Sequence, residues 1–418
     1  MLLRFGVANH LSIRDRQELS LVASPLRDDE AGLIDTPQPG LRLLPAALIY
    51  GANASGKSNF VASLRWLRGA VLRSHAEFRP DGGVPRRPFA LDDRSKGAAS
   101  RWDIDFIVGG VPYHYEVEAN DAAFVGERLL ARPEGRTQLW FDREGCRFSF
   151  GRNLRGRNST IAALTRSNSL FLSTAMQNGH EALTAVGRYF LDLAIQDDGA
   201  SRLAEPSPQQ PLDARVTQIL AALGTGIVES RWTDRSLIDD LGMGSEGAAD
   251  YLRTLLPGVV QASLPNRKAL ELAHPDSNGR PRFFRFEDES EGTRRLIRLL
   301  PAMFPALDRG GTMVVDELNA SLHTQACETL LALVSLRRSN PKGAQLVATT
   351  HDTNLLHSKL LRRDQIWLVE KDPSGASQLY PLTDIHTRKG DNLARGYLQG
   401  RYGAVPFSGS IADLLGMN

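Results

Sequence analysis

Cysteine is scarce in this chain. Only Cys146 and Cys327 of 418 residues carry a thiol, and they form no CxxC spacing. Neither a disulfide framework nor a cysteine-based zinc site can be read from them, and a reducing cytoplasm fits. A surplus of one charge is also missing: 50 Lys and Arg stand against 48 Asp and Glu, a formal net charge of +2. That balance is not the footprint of a dedicated nucleic-acid binder. No apolar run approaches the ~20 residues of a membrane helix, and MLLRFGVANHLSIRDRQE turns polar too early for the core of a signal peptide. No heptad is sustained and no repeat recurs, which excludes a long coiled coil or a solenoid. The expectation is a cytoplasmic protein with no membrane contact, built from two or three lobes.

What is present reads as mixed α/β. LLRFGV and QELSLVAS alternate like short strands, and LLPAALIY is a continuous apolar run of the kind that makes a buried strand. In NFVASLRWL, Phe60, Val61, Leu64 and Leu67 fall on one helical face. WDIDFIV and VPYHYEVE form a hairpin around Gly109-Gly110, and ERLLARPEGRTQLWFDREG a second one turning at Pro133–Arg136. From about residue 158 to 264 the pattern predicts mainly helices, NSLFLSTAMQNGHEALTAVGRYFLDLA and LDARVTQILAALG being the clearest. Beyond residue 269, ALELA, RFFRF, TMVVDE, QLVATT and QIWLVE return to strands, the later ones alternating with helices as in a parallel sheet covered on both faces.

One octapeptide carries specific chemistry. GANASGKS, Gly51 to Ser58, fits G-x-x-x-x-G-K-[ST] in full, between a buried strand and an amphipathic helix. Gly51 and Gly56 let the backbone curl until its N–H groups face phosphates. Lys57 reaches the β- and γ-phosphates and the Ser58 hydroxyl ligates Mg²⁺, at the positive end of a helix. Asn53, Ala54, Ser55 and Asn59 complete the expected nucleotide-contacting stretch.

Two further strand ends supply partners for that loop. TMVV runs into Asp316-Glu317, where the Asp holds Mg²⁺ through water and the Glu polarises the attacking water. An acid pair also suits a plain helix start. QLVATT ends at His351, which reads as a γ-phosphate sensor or as an ordinary loop histidine. No N-K-x-D or T-K-x-D guanine-reading motif occurs, so ATP is preferred over GTP.

Taken together, the phosphate loop, the acid pair and the histidine resemble the ABC-type ATPases of the SMC, RecF and OLD branch. In that branch a serine–x–glycine signature binds the γ-phosphate held by the opposite subunit; the matching residues here are Ser290 and Gly292 of ESEGT. NASLH, from Asn319 to His323, stands where the branch has its D-loop, and His351 matches its switch histidine. LIYGANASGKSN, RPFALD, NSLFLSTAMQNG and YLQGRYGAVPF are similar to the bacterial stand-alone AAA/ABC ATPases of the RloA and abortive-infection kind, including the AbiL and PARIS types. Two departures stand out: the signature lacks the glycine-rich LSGGQ form, and no glutamine can be assigned to a Q-loop.

The resemblance implies an ABC-type P-loop NTPase head, a mixed sheet with an antiparallel β subdomain and an inserted helical lobe. Residues 1–155 and 266–418 form the head and 156–265 the lobe. It also implies ATP and Mg²⁺ as cofactors, and a homodimer, or a higher oligomer of dimers, closed around ATP. A separately encoded effector, such as a TOPRIM nuclease in anti-phage defence, is implied too, because too little chain follows His351 for a fused TOPRIM domain. The alternative is a RecF- or SMC-like DNA-repair or DNA-clamp ATPase. DNA stays open as a contact through Arg152, Arg155 and Arg157 or Arg362-Arg363, runs that also suit solvated faces. Ser290 by itself is a good helix N-cap, without a capping box because Thr293 stands at the third position. Gly292 in the first turn then carries a cost of up to ~1 kcal/mol relative to Ala, which a close backbone approach to phosphate explains.

Overall fold

The computed structural model describes residues 1–26, 28, 32–196, 212–235, 267–388 and 390–405. The chain divides into two compact units. The first holds Met1–Asp198, Pro305–Asn319 and Ala326–Asn418, and the second holds Gly199–Phe304 and Ala320–Gln325.

Two sheets organise the first unit. One has seven antiparallel strands: β1 (Leu2–Ala8), β2 (Gln17–Ser20), β6 (Ser100–Val108), β7 (Val111–Ala119), β8 (Phe124–Ala131), β9 (Gln138–Glu144) and β10 (Arg147–Phe150), in the order β10-β9-β8-β7-β6-β1-β2. The expected hairpin is there. Trp102 pairs with Val117, Ile104 with Tyr115 and Phe106 with Tyr113, so alternation puts all six on one buried face. A two-stranded ribbon, β3 (Ile34–Asp35) and β4 (Arg42–Leu43), lies beside it in sequence.

The second sheet has six strands in the order β11-β15-β16-β5-β17-β18, comprising β5 (Ala46–Gly51), β11 (Ala194–Gln196), β15 (Thr312–Val315), β16 (Gln345–Thr349), β17 (Ile366–Lys371) and β18 (Ser377–Pro381). Its pairs are parallel except the edge pair β17–β18. All six residues of β5 are buried, which explains an apolar run without alternation. Gln345 ties the sheets together: its Oε1 accepts from the Leu2 amide at 2.6 Å and its Nε2 donates to the Leu2 carbonyl at 2.9 Å.

Between the sheets runs α1 (Lys57–Glu77), burying Phe60, Val61, Leu64 and Leu67 as the periodicity predicts. A short α2 (Asp93–Gly97) follows it. The helices α3 (Asn158–Leu164), α4 (Phe171–Gln177) and α5 (Glu181–Asp192) belong to this same unit. The sequence reading places residues 156–265 in a separate lobe, of which the described residues 156–196 fall within the first unit. Buried polar bonds fix them to the head instead. Glu127 of β8 accepts from the amides of Phe171 and Leu172 at 2.6 and 2.9 Å and from the Tyr115 hydroxyl at 2.8 Å. Arg143 of β9 donates to the Ser169 carbonyl at 2.6 Å, and Asn168 and Arg166 reach carbonyls at the end of α1.

The second unit holds α6 (Ala214–Ala222) and a three-stranded antiparallel sheet of β12 (Glu229–Arg235), β13 (Arg267–Pro275) and β14 (Pro281–Arg285). The strand β12 departs from the mainly helical pattern expected there. ESRWTDR carries one large apolar residue, and it becomes a strand only by pairing with β13, where Trp232 faces Leu270. Residues 197–211 and 236–265 of the expected lobe lie outside the described residues. ALELA and RFFRF, expected in the head, form this sheet. Next comes α7 (Glu291–Arg309), which runs through the unit boundary at Phe304/Pro305, and then α8 (Thr324–Ser335) and α9 (Leu393–Leu398).

Candidate nucleotide site

Parallel pairing places three chain ends on one edge of the six-stranded sheet. Thr349 pairs with Ile49, and Val315 with Ala348. The loops leaving β5, β15 and β16 therefore emerge side by side, carrying Gly51–Ser58, Asp316-Glu317 and His351. Such an edge is where open α/β sheets hold ligands.

The phosphate loop is shaped by close approaches. A Cβ on Gly51 would lie 2.4 Å from the Val369 carbonyl oxygen, so β17 excludes a side chain there. Gly56 has φ +113°, and Ala54, at φ +62°, turns left-handed as well. Gly56 is the N-cap of α1 and offers no side chain to the helix's first amides, which stay available for an anion. Lys57 is buried and donates to the Gly51 and Ala52 carbonyls at 2.8 and 2.9 Å. Burial pushes its ammonium down to about 8, against the opposing pull of Asp316 and Glu317. Ser58, Asn53 and Ala54 are exposed at the surface of the loop, while Ser55 is buried. Asn59, expected to touch nucleotide, turns its amide to the Ser12 hydroxyl at 2.7 Å. The side chain thus braces the loop from behind.

Thr349 organises the acid pair, a role that was not read from the sequence. Its hydroxyl donates to Asp316 Oδ1 at 2.5 Å and accepts the Glu317 amide at 2.7 Å. Glu317 is exposed and sits at φ +52°, a backbone conformation that non-glycine residues rarely adopt and that clusters at functional sites. Asn319 holds the neighbouring strand end, its Oδ1 accepting from the Thr350 hydroxyl at 2.9 Å and from the His351 amide at 3.0 Å. His351 is exposed. Burial of its ring and then the charge of Lys57 lower its pKa, while Glu317 and Asp316 raise it. The four groups thus share one electrostatic field. The TT preceding His351 was the available signal for Thr349, since a hydroxyl beside a strand end can tether neighbouring loops.

Ser58 and Asp316 offer a hydroxyl and a single carboxylate, hard oxygen donors. That set fits Mg²⁺, which keeps several waters and takes its remaining ligands from phosphates. No cluster of three His, Cys, Asp or Glu able to hold a metal occurs among the described residues, so a protein-only cage is not what this site presents.

Ser290 and Gly292 lie in the second unit, at the start of α7. Ser290 is exposed and caps the helix, accepting the Thr293 amide at 3.1 Å and bonding the Thr293 hydroxyl at 2.8 Å. Three of the four surrounding acids stand beside a basic side chain. Asp288 pairs with Arg285 at 2.7 Å, Glu289 with His274 at 2.7 Å, and Glu291 with Arg294 at 2.5 Å. A Cβ on Gly292 would stand 2.6 Å from the Ser321 carbonyl. That approach gives Gly292 a reason within the second unit itself, beside the expected approach to phosphate: the Ser321 backbone leaves no room for a side chain.

The family described as "AAA domain, putative AbiEii toxin, Type IV TA system" matches residues 46–357. The chain belongs to this AAA family. The match opens at the first residue of β5 and closes six residues after His351, so it contains the loop, the acid pair, the signature stretch and the histidine. It leaves β1, β2, β17 and β18 outside. No curated protein matches the sequence. Among solved structures, the "SmcHead bound to the C-winged helix domain of ScpA" overlaps 91% of this chain and 96% of its own, at 13% identity and a TM-score of 0.40. An overlap that loose carries nothing further for this AAA protein. No helix among its described residues is long and apolar enough to cross a membrane.

Proposed function

We propose that the protein is an ATP-hydrolysing switch of the ABC/SMC type that closes as a dimer around ATP and controls a separately encoded effector. The observation that carries the ATPase reading is the parallel pairing that brings the loops of Lys57, Asp316-Glu317 and His351 out at one sheet edge, with Thr349 tied to the acid pair. Lys57 and the amides at the start of α1 bind the β- and γ-phosphates. Ser58 and Asp316 would hold Mg²⁺, which supplies charge neutralisation at the phosphates when bound. Glu317, fixed by Thr349, takes a proton from the attacking water. His351, at the end of β16 beside the acid pair, orients that water or the γ-phosphate.

Ser290, exposed at the tip of α7 with Asp288, Glu289 and Glu291 each beside a basic side chain, is the group offered to a second protomer's γ-phosphate. The family's description, "putative AbiEii toxin, Type IV TA system", supports a role in a two-component toxin–antitoxin or defence system. We read that system as anti-phage defence and the partner as an effector such as a TOPRIM nuclease. The test is infection of cells carrying the complete locus, paired with affinity purification with and without ATP. Loss of protection in Lys57→Ala, with ATP-dependent recovery of a nuclease, supports the reading. Unchanged protection in that variant, or recovery of replication and recombination factors instead, contradicts it.

A further inference from the structure

Behind the phosphate loop lies a chain of side-chain hydrogen bonds that the nucleotide chemistry above does not use. Ser377 Oγ donates to the Ser55 carbonyl at 2.6 Å. The Ser12 and Ser377 hydroxyls lie 2.8 Å apart, and Asn59 Nδ2 donates to Ser12 Oγ at 2.7 Å. Each hydroxyl has one hydrogen to give. Because the Ser377 hydrogen goes to the Ser55 carbonyl, Ser12 must donate to Ser377, and its lone pairs then receive Asn59. The chain therefore has one direction, from Asn59 through Ser12 and Ser377 to the Ser55 carbonyl. The backbone fixes it further, since the Ser377 amide donates to the Ser12 carbonyl at 2.8 Å. Ser377 is 3% exposed, and a Cβ on Gly56 would fall 2.0 Å from its hydroxyl oxygen. Gly56 packs directly onto this brace.

We propose that Ser12 and Ser377 are positioning residues that aim and strengthen the Gly56 amide as a phosphate donor. The Gly56 N–H shares a peptide plane with the Ser55 carbonyl and points the opposite way. A hydrogen bond accepted by that carbonyl polarises the peptide and makes its N–H a better donor. This rests on the reading of the loop as the nucleotide site. Ser12 follows β1 and Ser377 opens β18, both outside residues 46–357 of the family match. The loop of the common core is thus tuned by flanking strands.

The experiment is titration of the full chain with a fluorescent ATP analogue and Mg²⁺, together with steady-state ATP turnover. The variants are Ser377→Ala, Ser12→Ala, Ser12→Thr and Lys57→Ala. Each alanine should weaken binding and raise KM about three- to tenfold, the worth of one neutral hydrogen bond, while kcat moves less than about twofold. Ser12→Thr, which keeps the hydroxyl, should restore binding to within about twofold of the parent. If Ser377→Ala fails to fold, half-buried Ser12 still carries the test. Alanine variants that bind like the parent while Lys57→Ala loses binding would overturn the brace alone. A parent protein that binds no nucleotide would overturn the reading on which the brace depends.

Discussion

The carbonyl oxygen of Ser321 stands 2.6 Å from where a Cβ on Gly292 would be. The Ser321 backbone thus rests on the first turn of α7, and Ser321 adopts φ +56° there. Gly292→Ala forces that carbonyl aside. We expect a loss of about 1–3 kcal/mol, typical of overpacking, read as a lower unfolding midpoint with or without nucleotide. Ser290→Arg should behave differently. It gives up an N-cap worth about 1 kcal/mol and abolishes turnover, while ATP binding by the monomer stays measurable. Equal turnover in Ser290→Arg and the parent would remove Ser290 from the mechanism.

Thr349→Val keeps the shape of the side chain and deletes both bonds to the acid pair. Partners that orient catalytic ligands typically matter by 10–100-fold, so turnover should fall by about that factor. Nucleotide affinity should change much less, because Thr349 touches neither Lys57 nor the loop amides in the bonds described. A variant with parental kcat shows that the acid pair does not depend on this hydroxyl.

Lys57 gives a pH signature. Its folded pKa of about 8 lies below the ordinary 10.5 because burial disfavours the charge. Folding and binding then respond with opposite signs. The buried charge is a burden on folding at neutral pH, relieved as pH rises through 8 towards 10.5. Phosphate binding needs the charge, so affinity is full below pH 8 and should fall above it, by up to about tenfold per unit until the bound-state pKa is reached. Lys57→Arg, which stays charged, should bind more weakly at pH 7 but lose this slope. A parent affinity flat from pH 7 to pH 9.5, measured by titration at fixed ionic strength, contradicts the assignment.

Glu127 tests the attachment of the helices to the head. Its side chain is fully buried beside Arg143 at 3.6 Å. Burial raises its pKa, against Arg143 and the amides of Leu172 and Phe171. Glu127→Ala orphans the two helix amides of Phe171 and Leu172, while Arg143 keeps its carbonyl acceptors, a loss of about 1–3 kcal/mol for each orphaned amide. Denaturant unfolding should show it as a lower midpoint. A loss below about 1 kcal/mol would mean that α4 is held by its other contacts and not by Glu127.

Much of this architecture was legible in the sequence because it is local. The phosphate loop follows from eight contiguous residues between a six-residue buried strand and α1. The Trp102–Val117 hairpin follows from alternation across Gly109-Gly110. Missed features depend on residues far apart in the chain. Ser12 and Ser377 meet only after folding, β12 needs β13 to become a strand, and α3–α5 join the head through buried Glu127 and Arg143. Gly292 was found, but for an incomplete reason. Its close neighbour is a carbonyl 29 positions away, which no helix-capping rule reveals.

The central claim is hydrolysis of ATP by Glu317 within an ATP-linked dimer. Its most direct test is one Glu317→Gln sample, followed for nucleotide content, turnover and sedimentation in Mg²⁺ and ATP. The account predicts bound ATP, turnover lowered by about two to four orders of magnitude as for loss of a general base, and accumulation of dimer. A variant that hydrolyses ATP at the parental rate, or stays monomeric with ATP bound, would contradict it.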